Sequence, residues 1–157
     1  MHLLTPGQPA PHFCLPDASM ESVDLADFKG KSNIVLFFYP KDGTPYCTEE
    51  ATDFSDHEEE FAEHSCVLLG VSRDDCLSHA EFCDRAGIGI RLLSDTDGKV
   101  CRQYGVWHPR VLDGVKKFVV TRSTFVINKK GIICHALYEV NYKGHAREVL
   151  DLIKELS

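Results

Sequence analysis

Two stretches of this chain are almost wholly apolar, Asn33 to Tyr39 (N-I-V-L-F-F-Y) and Ser65 to Ser72 (S-C-V-L-L-G-V-S). Runs this short, without alternation, have the pattern of β-strands covered on both faces. A third, Ile90 to Leu93, is shorter. Between them, apolar residues return at helical spacing. Thr48 to His64 sets Ala51, Phe54, Phe61 and Ala62 against a face of carboxylates, which predicts one long helix. Asp74 or Asp75 supplies an N-cap for a second helix that runs through Ala86 and stops at Gly87. Val23 to Phe28 alternates weakly and predicts a short strand or turn, and a helical turn through Gln103 follows Ser94-Asp95. Thr124 to Asn128 and Ile132 to Tyr138 flank Asn128-Lys129-Lys130-Gly131, a hairpin loop. Gly144 to Leu156 closes the chain as an amphipathic helix with Ala146, Val149, Leu150 and Ile153 inward. The order strand–helix–strand–helix, then hairpin and helix, predicts an α/β protein with a mixed central sheet flanked by helices.

Composition narrows the function. With 157 residues, 43% of them hydrophobic, the chain is long enough for one well-filled core and short for two. No repeat, low-complexity segment or linker divides it, so one domain over residues 1–157 is expected. The net charge of −7 and the scattered lysines and arginines argue against nucleic acid as a partner. No apolar run approaches the roughly 20 residues of a membrane span. Met1 to Pro6 has neither the charged nor the long apolar region of an export signal, so a cytoplasmic location is expected. There the seven cysteines should be reduced, with any disulfide transient and catalytic. No C-x-x-C occurs, and the cysteines and eight histidines form no recognisable ligand set, so neither metal nor other cofactor is expected.

Candidate chemistry gathers at Phe37-Phe38-Tyr39-Pro40-Lys41-Asp42-Gly43-Thr44-Pro45-Tyr46-Cys47-Thr48-Glu49-Glu50. An apolar strand ends in a Pro/Gly-rich turn, and Cys47 sits where a helix begins. A thiol there faces unpaired N–H groups and the positive end of the helix dipole, which favour the reactive thiolate. A thiolate nucleophile needs a held, in-line approach to its target and donors for the charge that develops on the departing atom. Arg122 presents a permanently charged fork of donors. Thr44 offers a hydroxyl three residues before the sulfur, Pro40 can shield the thiolate from water, and Glu50 shares the helix face of Cys47. Taken singly, each has a plainer reading. A cysteine after an apolar strand packs, Arg122 is a surface cation, Thr44-Pro45 is a turn, and Glu50 is a first-turn carboxylate.

Their order resembles a known family. Pro40, Thr44 and Cys47 reproduce the P-x-x-x-T-x-x-C signature of peroxiredoxins, and Thr44-Pro45-Tyr46-Cys47-Thr48 is similar to the TPGCT of the Q-type branch, the bacterioferritin comigratory proteins. Val71-Ser72-Arg73-Asp74 with Ser78-His79, Leu93-Ser94-Asp95 leading to Tyr104-Gly105-Val106-Trp107, and Arg122-Ser123-Thr124-Phe125-Val126-Ile127 agree in order and spacing. The resemblance implies a thioredoxin-like fold with peroxiredoxin additions. It implies a peroxidase in which Cys47 reduces hydrogen peroxide or organic hydroperoxides, assisted by Pro40, Thr44 and Arg122, with Glu50 orienting the arginine. Thioredoxin or a similar dithiol would be the reductant and the protein would be a monomer. Trp107 and Tyr104 could wall the pocket.

Two positions depart from that pattern. Thr52 stands where many Q-type members carry a resolving cysteine, and Tyr46 replaces the usual glycine before the nucleophile. Cys66 and Cys134 lie in strand-like apolar runs and should be inert, Cys14 lies in the N-terminal strand region, and Cys101 lies in a polar turn. Cys76 and Cys83 share a helix, two turns apart. Resemblance to a second Q-type subgroup implies Cys83 as the resolving thiol, with Cys76 as runner-up. The expected cost is an unwinding of the first turn of the Cys47 helix, with Gly43 as the yielding point and Asp53 to Glu60 staying helical. The rivals are a one-cysteine peroxidase reduced by an external thiol, a peroxide-sensing binding protein and, last, a metal-binding module.

Overall fold

The structure is a computed structural model and describes residues 3–156; the part of the N-terminal reading that falls on Met1 and His2 lies outside it. The two apolar runs form the strands β3 (Asn33–Phe38) and β4 (Cys66–Ser72). Around them stand β5 (Arg91–Ser94), β8 (Ser123–Ile127) and β9 (Ile133–Leu137), in the sheet order β5-β4-β3-β8-β9. β4 runs parallel to β3 and to β5, whereas β8 is antiparallel to β3 and β9. The expected mixed sheet is therefore present. β1 (Cys14–Pro16) and β2 (Ser22–Asp24) form a separate ribbon, and a 3-10 turn (Leu25–Phe28) follows them.

Because side chains alternate across a strand, β3 feeds two cores. Ile34, Leu36 and Phe38 pack with Leu69, Val71 and Phe125 beneath the N-terminal residues Leu4 and Phe13. Val35, Phe37 and Tyr39 face the other way, toward the helices α1 (Pro45–Asp56), α2 (Glu58–Glu63), α3 (Cys76–Ala86) and α5 (His145–Leu156). α1 is seated by Phe54, whose ring stacks on Phe37 at 4.6 Å. Gly70, opposite Phe37 in β4, makes that fit: a Cβ there would stand 2.7 Å from the Phe37 ring. Burying a side chain such as Phe54 contributes about 2 kcal/mol.

α3 matches its sequence pattern closely. The Asp75 side chain caps the helix by accepting from the Ser78 N–H at 2.8 Å, and Gly87 ends it in the left-handed region. α5 buries Ala146, Val149, Leu150 and Ile153 as expected.

Four expectations need correction. The long acidic helix is two helices, α1 and α2, broken at His57, whose ring Nδ1 lies 2.9 Å from the Asp53 carbonyl oxygen and competes with the helical ladder. Asp53 to Glu60 is accordingly not one continuous helix, and Ala62 is exposed. Cys101 lies within the short helix α4 (Lys99–Gln103), fully buried rather than in a polar turn. Finally, β6 (Trp107–Leu112) and β7 (Val115–Val120) form an unforeseen hairpin. Its Asp113-Gly114 corner has φ of +52° and +76°, the geometry of a tight type I′ turn. Among the described residues, no helix is long and apolar enough to cross a membrane.

Candidate active site

α1 begins as its sequence dictates. Thr44 is the extended N-cap and Pro45 takes the first helical position, where a missing N–H costs nothing. The first helical bond is Thr48 N–H to Thr44 C=O at 2.9 Å, so Cys47 lies in the turn whose own N–H groups precede the ladder. Cys47 is 2% exposed. Arg122, between β7 and β8, reaches it from the side. Arg122 Nη2 donates to Cys47 Sγ at 3.3 Å and Nη1 donates to Glu50 Oε1 at 2.8 Å. The Arg122 carbonyl accepts from Val140 N–H at 2.9 Å, which pins the backbone that carries the guanidinium.

Glu50 is 1% exposed, and its Oε2 has no hydrogen-bond partner among the described residues. Burial pushes its carboxyl up to about 7, Arg122 opposing without cancelling and Asp53 adding to the rise. Burial alone would lower Arg122, but the charges of Glu50 and Cys47 beside it carry it above its ordinary value. A single guanidinium therefore spans a sulfur and a carboxylate and holds positive charge where an anion would form.

The other expected residues fall differently. The Thr44 hydroxyl donates to the Lys41 carbonyl at 3.2 Å rather than to Cys47. Pro40 lies exposed just beyond β3. Tyr104 does not wall this site. It is buried in the opposite core, its hydroxyl donating to the Pro11 carbonyl at 2.7 Å. Trp107 also lies elsewhere, with the guanidinium groups of Arg73 and Arg102 at 4.2 and 4.9 Å from its ring.

All seven cysteines are free thiols. Cys66 is pushed up to about 12 and Cys101 well above the ordinary thiol range, in both cases by burial first. Half-buried Cys83 packs against the same apolar cluster that holds Cys47, whereas Cys76 does not belong to that cluster. The Cys83 thiol is also raised, by burial and then by the charges of Asp42 and Asp84.

The sequence pattern Ser78-His79 was visible without a role, and the structure supplies its contacts. His79 is fully buried, with Nδ1 2.7 Å from Asp42 Oδ2. Its Nε2 donates to the Leu93 carbonyl at 2.9 Å. Asp42 also accepts from the Tyr39 hydroxyl at 2.6 Å and from Ser78 Oγ at 2.9 Å. Its own N–H donates to Asp74 Oδ2 at 2.8 Å. Burial would raise the Asp42 carboxyl, but the hydrogen bonds from His79, Tyr39 and Ser78 outweigh it and hold the group below the ordinary range. The loop before Cys47 is thereby tied to α3, one helical turn from Cys83.

A buried cysteine in the first turn of a helix, fronted by an arginine from the link before β8, can be placed among known proteins. Residues 6–136 match the family described as AhpC/TSA. The Helicobacter pylori (strain J99) bcp protein is 41% identical over 151 residues, covering 96% of this chain and 99% of that one. Peroxiredoxin Bcp of Bacillus subtilis is 40% identical over 151 residues, covering 96% of each. The chain belongs to the peroxiredoxins, in their Bcp or Q-type branch. Solved structures agree. Xanthomonas campestris Peroxiredoxin Q superposes with a TM-score of 0.87 at 35% identity, covering 91% of this chain and 90% of that one. Xylella fastidiosa PrxQ superposes with 0.92 at 32%, covering 99% and 98%. The peroxiredoxin thus has the thioredoxin-like fold that the resemblance implied.

Proposed function

We propose that this peroxiredoxin is a thiol-dependent peroxidase for hydrogen peroxide and organic hydroperoxides, with Cys47 as the attacking thiol. The observation that carries the reading is the Arg122 fork, 3.3 Å from Cys47 Sγ and 2.8 Å from Glu50 Oε1. Cys47 Sγ attacks the terminal oxygen of the hydroperoxide; the S–O bond forms as the O–O bond breaks. The peroxide is reduced to water or an alcohol, which takes up the proton, and the thiol is oxidised to a sulfenic acid. Arg122 stabilises charge on the sulfur and on the departing oxygen, and Glu50 keeps the guanidinium turned toward both. Thr44 and Pro40 shape the turn that presents the thiol. A Xanthomonas campestris bacterioferritin comigratory protein structure described for alkyl peroxide reduction supports an organic hydroperoxide as substrate.

Cys83 then condenses with the sulfenic acid, releasing water and forming a disulfide that an external dithiol of the thioredoxin kind reduces by exchange. Its place against the Cys47 cluster favours it over Cys76. A cytoplasmic monomer fits a disulfide of this transient kind. The second reading is a one-cysteine enzyme, favoured by Thr52 and by the acidic surroundings that hold Cys83 as a thiol. A peptide map after one equivalent of hydrogen peroxide, with free thiols blocked, decides. A Cys47–Cys83 linkage is expected. Cys47 trapped as sulfenic acid beside fully alkylated Cys83 means the one-cysteine route, and an unmodified Cys47 refutes the peroxidase.

A further inference from the structure

Tyr46, the residue before Cys47, is 60% exposed, yet its ring is not loose. It stacks on Tyr142 with centroids 4.7 Å apart and planes inclined by 17°. Such a stacked pair favours one shared placement of the two rings over independent rotamers. Tyr142 lies in the turn between β9 and α5, and the Arg122 Cζ stands 5.9 Å from its ring centroid. Contacts therefore run without a gap from the Cys47 sulfur, through Arg122, to the aromatic pair.

The burial of Cys47 gives this arrangement its meaning. A thiol with 2% exposure can receive the terminal oxygen of a hydroperoxide while the organic group, borne by the departing oxygen, stays at the mouth. The aromatic pair adjoins that mouth. Beyond Tyr142 runs a groove lined by Glu49, Asp53, Asp56 and Lys143. Three carboxylates against one ammonium oppose an anionic tail.

We propose that Tyr46 and Tyr142 form a ledge at the mouth of the Cys47 site that selects uncharged organic hydroperoxides with a flat apolar group, aralkyl hydroperoxides above all. The ledge rests on the assignment of Cys47 as the attacking thiol and adds what it discriminates. Of a bound peroxide the rings meet only the organic group, so, beyond any effect through Arg122 that all peroxides share, they change the rate for one peroxide relative to another. A pair that merely stapled the first turn of α1 would change all peroxides in proportion.

The test is single-turnover oxidation of the reduced full-length protein, which needs neither a reductant nor a resolving thiol. The second-order rate constants for cumene hydroperoxide, hydrogen peroxide and the linoleic acid hydroperoxide anion are compared in wild type, Tyr46→Ala, Tyr142→Ala and Tyr142→Phe. The cumene-to-hydrogen-peroxide ratio should fall at least fivefold in either alanine variant and be kept in Tyr142→Phe, which preserves the stack. The fatty-acid anion should react more slowly than cumene hydroperoxide in wild type. A ratio within twofold of wild type in both alanine variants overturns the ledge while leaving the peroxidase intact. Faster oxidation by the fatty-acid anion overturns the charge selection. A wild-type Cys47 oxidised by none of the three removes the peroxidase and the ledge together.

Discussion

Cys47 and Cys83 pack against the same apolar cluster, and each stands near a charged residue. For Cys47 that residue is Arg122, donating to the sulfur at 3.3 Å. For Cys83 it is Asp42, whose negative charge joins burial in raising the thiol. The difference teaches that shared packing does not make the two thiols alike: burial raises Cys83 first and Asp42 adds to it, whereas Cys47 has a guanidinium at its sulfur. One sulfur has a cationic donor beside it, while the other faces a carboxylate that disfavours its thiolate.

The comparison breaks most completely at Arg122. Arg122→Ala removes the donor at the sulfur, and the second-order rate with hydrogen peroxide should fall by about 10²–10³, the range for losing one preorganised donor to developing charge. Stopped-flow oxidation of the reduced protein measures it. Arg122→Lys should recover only part of the rate, because an ammonium cannot span both partners.

His79→Ala acts on the other side. It leaves the buried Asp42 carboxylate without the hydrogen bond from His79 and should cost about 3 kcal/mol in urea unfolding. A loss under 1 kcal/mol would mean that the tie between the loop and α3 is dispensable.

Glu50 sharpens the contrast through pH. Its folded carboxyl lies near 7, above the ordinary 4.5, so between those values the folded state binds the proton that the unfolded state has released. Stability from this group is therefore full below about 4.5 and is lost as pH rises through 7. The rate runs oppositely, because protonation weakens the hold on Arg122, and should decline below pH 7. Glu50→Gln should flatten both profiles, lower the rate at pH 8 by about tenfold, and raise the unfolding midpoint there. Paired pH series of rate and melting temperature check the two signs together. The smallest effect is expected for Asp42→Asn. Alkylation of Cys83 at pH 8 should quicken about threefold as the opposing charge is lost, a change read by mass spectrometry of the labelled peptide.

Much of the architecture was legible because burial writes itself into the pattern. β3 and β4 are continuous apolar runs, and α3 carries both its Asp75 cap and its Gly87 stop. The helix break at His57 was not legible, since it comes from one ring hydrogen-bonding a carbonyl four residues back while the apolar spacing from Phe54 to Phe61 continues across it. The hairpin of β6 and β7 was hidden for the opposite reason. Most of its residues face solvent, so no core alternation marks it, although Asp113-Gly114 between Leu112 and Val115 is a strong local turn signal.

At the site, Cys47, Arg122 and Glu50 could be named from their order in the chain. Asp42 and Tyr142 could not be given a role, because each is defined by a partner distant in sequence. Asp42 meets His79 across 37 positions, and Tyr142 meets Tyr46 on the first turn of another helix.

Trp107 is the only tryptophan of the chain, and one of the two cations held against it belongs to Arg73, in the segment that leads from β4 into α3. Any repositioning of α3 that carries Cys83 toward Cys47 pulls on that segment and alters the cation pressed against the indole. The protein thus contains its own optical probe. On the proposed two-cysteine route, intrinsic emission should change when the Cys47–Cys83 disulfide forms and return when it is reduced, letting each turn of that cycle be timed without a label.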